Sequence, residues 1–163
     1  LCCKDPKKLK LLAGIVNSPI ASFYVKQKYA SASYNGGVNF TPDMLNSIPL
    51  PGSIDSAAIV KNVDKIVSAQ AVMAKLSLDV HRMIRAAGGA GKLRKPLEEL
   101  YHLTREEFLE ELGRQGLKLS VRKKAEWADI FDEYNSKVAK SFAEFTSDNQ
   151  AIHESLCKAY GLN

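Results

Sequence analysis

Long hydrophobic runs are missing from this chain. Its uninterrupted apolar stretches are a few residues each, far short of the roughly 20 that a bilayer-spanning helix needs, so no membrane span is expected. Cysteine is scarce. Cys2, Cys3 and Cys157 are an odd set, and adjacent Cys2 and Cys3 lack the two-residue gap of a metal or redox motif. A disulfide scaffold is therefore excluded, and reduced thiols in a cytoplasmic protein are expected. The opening LCCKDPKKLK has no apolar core and no small-residue cleavage site, so it is not a signal peptide. A first residue of Leu1 rather than Met predicts a piece of a longer polypeptide. Acidic residues are outnumbered, 18 against 23 Lys and Arg, which gives a net charge of +5. That balance permits an anionic partner without requiring one. What remains is ordinary for a globular chain. Its 163 residues, 45% apolar and 25% charged, suffice for a real core and exclude a disordered tail or a collagen-like fibre.

Catalytic patterns are missing as well. Gly88-Gly89-Ala90-Gly91-Lys92 resembles a phosphate-binding loop only superficially. Ala86 stands where that loop needs its first glycine, Leu93 where it needs Ser or Thr, and the segment follows a helix rather than a strand. A flexible hinge is expected. His81, His102 and His153 read as isolated residues, surface or half-buried, with no ligand-spaced neighbour. Nuclease chemistry wants an acid upstream of an Asp/Glu-x-Lys pair. Asp5-Pro6-Lys7 supplies the pair with no acid before it. No catalytic residue, metal ligand or cofactor-binding residue is assigned in this chain.

What is present is helical periodicity. Leu9, Leu12, Ile15, Val16, Ile20, Phe23 and Tyr24 recur at three- and four-residue steps within 7–30. Pro19 either kinks this run or starts a second helix. Ser31 to Gly37 has loop composition, and Val38-Asn39-Phe40 is a strand at best. Thr41-Pro42-Asp43 reads as an N-cap with proline in the first turn, and Pro49-Leu50-Pro51 ends that short helix. From Asp55 to about Arg85 there is no Gly or Pro. Ile59, Val63, Ile66, Met73, Leu76, Val80 and Ile84 form a stripe in which Gln70 takes one position. A flexible basic loop, 86–95, and short helices to Gly116 follow. Thr104 and Glu107 make a capping box. Ser120 caps a helix striped by Trp127, Phe131, Tyr134, Val138, Phe142 and Phe145, and a last short helix carries Ile152, Leu156 and Tyr160 up to Gly161. The expected fold is mainly α. A C-terminal end of a larger domain, 1–52, built of helix, loop and short strand, leads into a helical tail, 53–163. Long helices at about 55–86 and 120–145 pack there as an antiparallel hairpin or bundle.

Basic residues cluster at Lys7-Lys8-Lys10, Lys26/Lys28, Arg82/Arg85, Lys92/Arg94/Lys95 and Arg122-Lys123-Lys124. Solvated helix faces account for most of these. The last cluster opens a helix, where positive charge opposes the macrodipole by a few tenths of a kcal/mol.

Three blocks carry a family resemblance. Leu11-Leu12-Ala13-Gly14-Ile15-Val16-Asn17-Ser18 with Phe23-Tyr24 resembles the "LLAILNS…FY" block of DNA-specificity domains. Phe40 to Pro51 is similar to the "F…L…IPLP" block that closes a target-recognition domain. Lys124-Ala125-Glu126-Trp127, with Ile152-His153-Glu154 and Ala159-Tyr160-Gly161-Leu162, resembles an "AEW…I…LYGL" tail. Together they resemble the TaqI-like C-terminal specificity domain of type II restriction–modification adenine methyltransferases. Type I specificity subunits look similar over the same stretch. The resemblance implies a DNA sequence-specificity and scaffold segment whose partners are double-stranded DNA and upstream methyltransferase or nuclease domains. S-adenosylmethionine, and Mg if a nuclease is fused, would belong to those upstream domains. On that reading the candidate DNA contacts, taken from the basic clusters and the loop composition, are Lys26, Lys28, Tyr34, Asn35, Asn39, Lys92, Arg94 and Lys95. Lysine and arginine would meet phosphate, and asparagine would meet adenine edges. The alternative is a docking module whose helices join catalytic domains without touching DNA.

Overall fold

The computed structural model describes residues 4–29, 33–34, 37–38, 40–89 and 91–162. It is mainly α, as expected. Helix α1 (Pro6–Val16) and α2 (Pro19–Lys28) precede a pair of two-residue strands, β1 (Ser33–Tyr34) and β2 (Gly37–Val38), joined antiparallel with Ser33 opposite Val38. Then come α3 (Pro42–Asn46), α4 (Ser56–Ala86), α5 (Lys95–Glu98), a 3-10 turn (Leu100–His102), α6 (Arg105–Arg114) and α7 (Val121–Tyr160). The chain forms two compact units, Leu1–Val67 with Phe145–Asn163, and Ser68–Glu144.

In the first unit, local chemistry sets each helix start. The Asp5 carboxylate accepts from the Lys7 N–H, and Pro6 occupies the first turn. Pro19 starts α2 rather than kinking one long helix. The buried Ser18 Oγ accepts from the Ala21 N–H at 3.2 Å and donates to the Ile15 carbonyl at 2.6 Å, so one hydroxyl ends α1 and caps α2. Thr41 caps α3 through the Met44 N–H. Ile15, Val25, Met44, Ile48, Ile59, Val63, Ile152 and Leu156 make the core. Two tyrosines fasten the loop around α3. Tyr24 Oη donates to the Ser47 carbonyl and Tyr160 Oη to the Pro49 carbonyl.

Helices α1 and α4 meet closely at Gly14. A β-carbon there would lie 2.7 Å from Ile59 Cγ2 and 3.1 Å from Val63 Cγ2. Overpacking of this kind costs about 1–3 kcal/mol, against about 1 kcal/mol that alanine gains over glycine in a helix. Gly14→Ala is therefore expected to lose stability in urea denaturation. Gly113→Ala, in α6 with open space around the new methyl, is expected to gain about 0.5–1 kcal/mol.

The second unit has an aromatic centre. Phe108 stacks on Phe131 at 4.5 Å between ring centroids, and Trp127 meets the Phe108 edge at 6.2 Å. Ile84, Leu97, Leu100 and Leu112 close around them. The Thr104–Glu107 capping box is formed in both directions. Ser120 Oγ accepts from the Lys123 N–H and so caps α7. Helix α6 ends in a two-bond cap. Gly116, at φ +98°, donates to the Gly113 carbonyl, and Leu117 donates to the Leu112 carbonyl.

Several details differ from the sequence expectations, the first being that β1 and most of the strand pair fall within 31–37, the stretch of loop composition. Helix α7 does not stop near 145 but runs unbroken to Tyr160. Its buried face passes through Ser141 and Asp148, both buried, while Phe142 is 51% exposed. In α4 the stripe position assigned to Gln70 belongs to Ala69, which is buried, and Gln70 is exposed. Both shifts follow from 3.6 residues per turn. Finally, the glycine segment begins as a helix cap of the same kind, with the Gly88 N–H on the Arg85 carbonyl and the Gly89 N–H on the Ile84 carbonyl. Gly89 also packs so tightly that a β-carbon would lie 2.9 Å from the Ile84 carbonyl oxygen and 3.3 Å from Leu117.

Candidate functional site

The candidate nucleic-acid contacts fall into two groups, one in each unit. In the first, Lys26 and Lys28 occupy the last turn of α2, where cations suit the helix macrodipole. Both are exposed. Lys26 has no partner among the described residues. Lys28 Nζ donates to Tyr24 Oη at 2.9 Å and sits 5.3 and 5.6 Å from the ring centroids of Tyr24 and Tyr29. That hydrogen bond, with the two rings, holds its ammonium group above the usual lysine range. The side chain of Tyr34, and Asn35 and Asn39 altogether, lie outside the described residues.

The second group is Lys92, Arg94 and Lys95. Here the structure corrects the expectation of a flexible loop. Leu93 is buried beside them. The Arg94 N–H donates to Gln115 Oε1 at 2.9 Å, and Gln115 Nε2 donates back to the Lys92 carbonyl at 3.3 Å. The amide of one glutamine therefore clamps the loop from both sides. Arg94 is further held by Glu111, with Nε 2.8 Å from Oε2. Arg114 reaches the other oxygen of the same buried carboxylate at 2.6 Å. The Arg94 hydrogen bond, with the Arg114 contact, lowers the Glu111 carboxyl below the usual glutamate range although burial works the other way. Lys92 and Lys95 remain exposed and without an ion-pair partner among the described residues. Neither Gln115 nor Glu111 is marked by any motif. Only the Glu110, Glu111 and Arg114 spacing hints at a charged helix face.

A family model described as Domain of unknown function (DUF8810) matches residues 53–155. The chain belongs to this family. The DUF8810 match takes in α4 through most of α7, with Lys92, Arg94, Lys95, Glu111 and the Gln115 clamp. Lys26 and Lys28 precede it. No curated protein and no solved structure matches the chain.

Of the histidines in this DUF8810 chain, His81 donates from Nε2 to the Leu97 carbonyl at 2.6 Å and ties α4 to α5. His102 lies against the Tyr101 ring. The third is not isolated. His153 and Cys157 are one turn apart on α7, with Sγ 3.7 Å from Nε2. Cys2 and Cys3 lie outside the described residues. No group of three or more His, Cys, Asp or Glu among the described residues is placed to hold a metal ion. No described helix is long and apolar enough to cross a membrane.

Proposed function

We propose that this chain is a DNA-specificity and scaffold segment of a restriction–modification polypeptide that methylates adenine, with or without a fused nuclease. The carrying observation is the element order. Two short helices, a small strand pair and α3 run through Pro49 and Pro51 straight into the 31-residue α4. The segment similar to the block that closes a target-recognition domain thus runs directly into a long helix, as in the type I specificity subunits that the chain also resembles. In support, Lys26, Lys28, Lys92 and Lys95 are exposed, the first pair in the last turn of α2 and the second pair on the loop that Gln115 holds. Under this reading they contact phosphate and set register, while Tyr34, Asn35 and Asn39 face bases. S-adenosylmethionine, and Mg for a nuclease, would be bound by the parent's other domains, and the protein would act in the cytoplasm.

Replacing Lys26, Lys28, Lys92 and Lys95 by Gln is the test. The slope of log K against log salt for duplex DNA should flatten by about 0.9 for each phosphate contact removed. An unchanged slope removes these residues from the DNA face. Arg94 is left alone because it holds Glu111.

One observation favours the docking module instead. Val72 and Met83, eleven residues apart and so on the same side of α4, stay exposed. An apolar helix from a methyltransferase or nuclease domain would cover such residues. That reading predicts association with the parent's other domains and no affinity for DNA.

A further inference from the structure

The start of α7 is electrostatically odd. A helix N-terminus carries partial positive charge and normally attracts acids. Here the first turn has no acid at all, and Arg122, Lys123 and Lys124 add positive charge to it. Arg122 is neutralised by Glu126. Lys123, and Lys118 just before the helix, have no ion-pair partner among the described residues.

These two lysines border a recess of about 270 Å³, lined also by Ala87, Leu117, Leu119 and Trp127. The recess lies wholly within the second unit. Its volume falls just below the range of pockets that hold drug-sized ligands, about 300–1,000 Å³. Trp127 is only 8% exposed, and its indole N–H has no acceptor among the described residues. Buried indoles usually find one. No described side-chain nitrogen or oxygen is both fully enclosed and unpartnered. The small part of Trp127 that stays accessible therefore includes the indole nitrogen, and Trp127 is one of the residues that line the recess.

We propose that this recess binds a small organic anion, a carboxylate on a compact apolar body. The indole N–H of Trp127 and the ammonium groups of Lys118 and Lys123 take the carboxylate. Leu117, Leu119 and Ala87 take the apolar part. Charged acceptors suit this donor set, because hydrogen bonds to an ionised group are roughly twice as strong as neutral ones. The inference is independent of the DNA reading, since none of its residues belongs to the proposed DNA contacts.

Trp127 is the single tryptophan of the chain, so its indole N–H gives one resonance in a proton–nitrogen NMR spectrum of the whole protein. Cyclohexanecarboxylate should move that resonance saturably, with a dissociation constant of about 1 mM or tighter. Cyclohexylmethanol, which lacks the charge, and inorganic phosphate, which lacks the apolar body, should each bind at least about ten-fold more weakly. The double variant Lys118→Ala/Lys123→Ala should lose about ten-fold in carboxylate affinity while the rest of the spectrum stays in place. Both lysines are exposed, so folding is spared. The proposal is overturned by an indole resonance that does not move with the carboxylate. Equal binding of the alcohol or of phosphate overturns it too, as does a double variant that binds like the parent.

Discussion

Phe131→Ala is expected to lower stability by about 3–5 kcal/mol. The ring is fully buried and stacked on Phe108 at 4.5 Å, with Tyr134 at 6.2 Å. Truncation leaves a cavity that the surrounding helices can only partly close, and dispersion contacts along its walls are lost. The informative comparison is Phe142→Ala, eleven residues on along α7. Phe142 is the same size but half exposed, and its loss is expected to cost less than about 1 kcal/mol. Guanidinium denaturation of the two variants separates the cases. Equal losses would contradict the face assigned to α7.

The second large effect belongs to Glu111. Its side chain is 7% exposed and receives Arg94 and Arg114 on separate oxygens. Removing one partner of a fully buried ion pair costs about 3–5 kcal/mol. Both arginines here are half exposed and can turn to water, so Glu111→Ala is expected to cost about 2 kcal/mol. It should also loosen the loop that carries Lys92 and Lys95. The sign with pH follows from the lowered carboxyl pKa. The paired carboxylate adds stability that is fully present above the ordinary glutamate value of 4.5 and is lost as pH falls through its lower folded value. Thermal midpoints of the parent and of Glu111→Gln, measured between about pH 2.5 and pH 7, should differ at neutral pH and converge in acid. A gap that stays constant across that range would show that the charge on Glu111 contributes nothing.

Local chemistry was readable from the sequence, and long-range closure was not. Thr41, Thr104 and Ser120 announce helix starts because a hydroxyl before a helix has one obvious use. The cap that ends α4 at Gly88 was not legible, because a run of glycines has the composition of a hinge and the packing of Gly89 against Leu117 is long-range. The run of α7 past 145 was hidden by two polar residues on its buried face. Ser141 and Asp148 interrupt the apolar pattern, and Phe142 beside them draws the stripe off by one position. Asp148 is tolerated there because Lys65 reaches it at 3.1 Å, a partner 83 residues away. The Gln115 clamp is invisible for the same reason, since it links α6 to a loop more than 20 residues earlier. The His153–Cys157 pair, by contrast, lies in plain view at a one-turn spacing.

If the proposed function holds, Lys26, Lys28, Lys92 and Lys95 contact DNA phosphate. Fluorescence anisotropy of the chain with random-sequence duplex DNA, across a salt series, is the measurement that decides. Binding should weaken linearly in log K against log salt, with a slope of about −3 to −4 if Lys26, Lys28, Lys92 and Lys95 each release one counterion. No binding even at about 50 mM salt would contradict the claim and leave the long helices as a docking surface for protein.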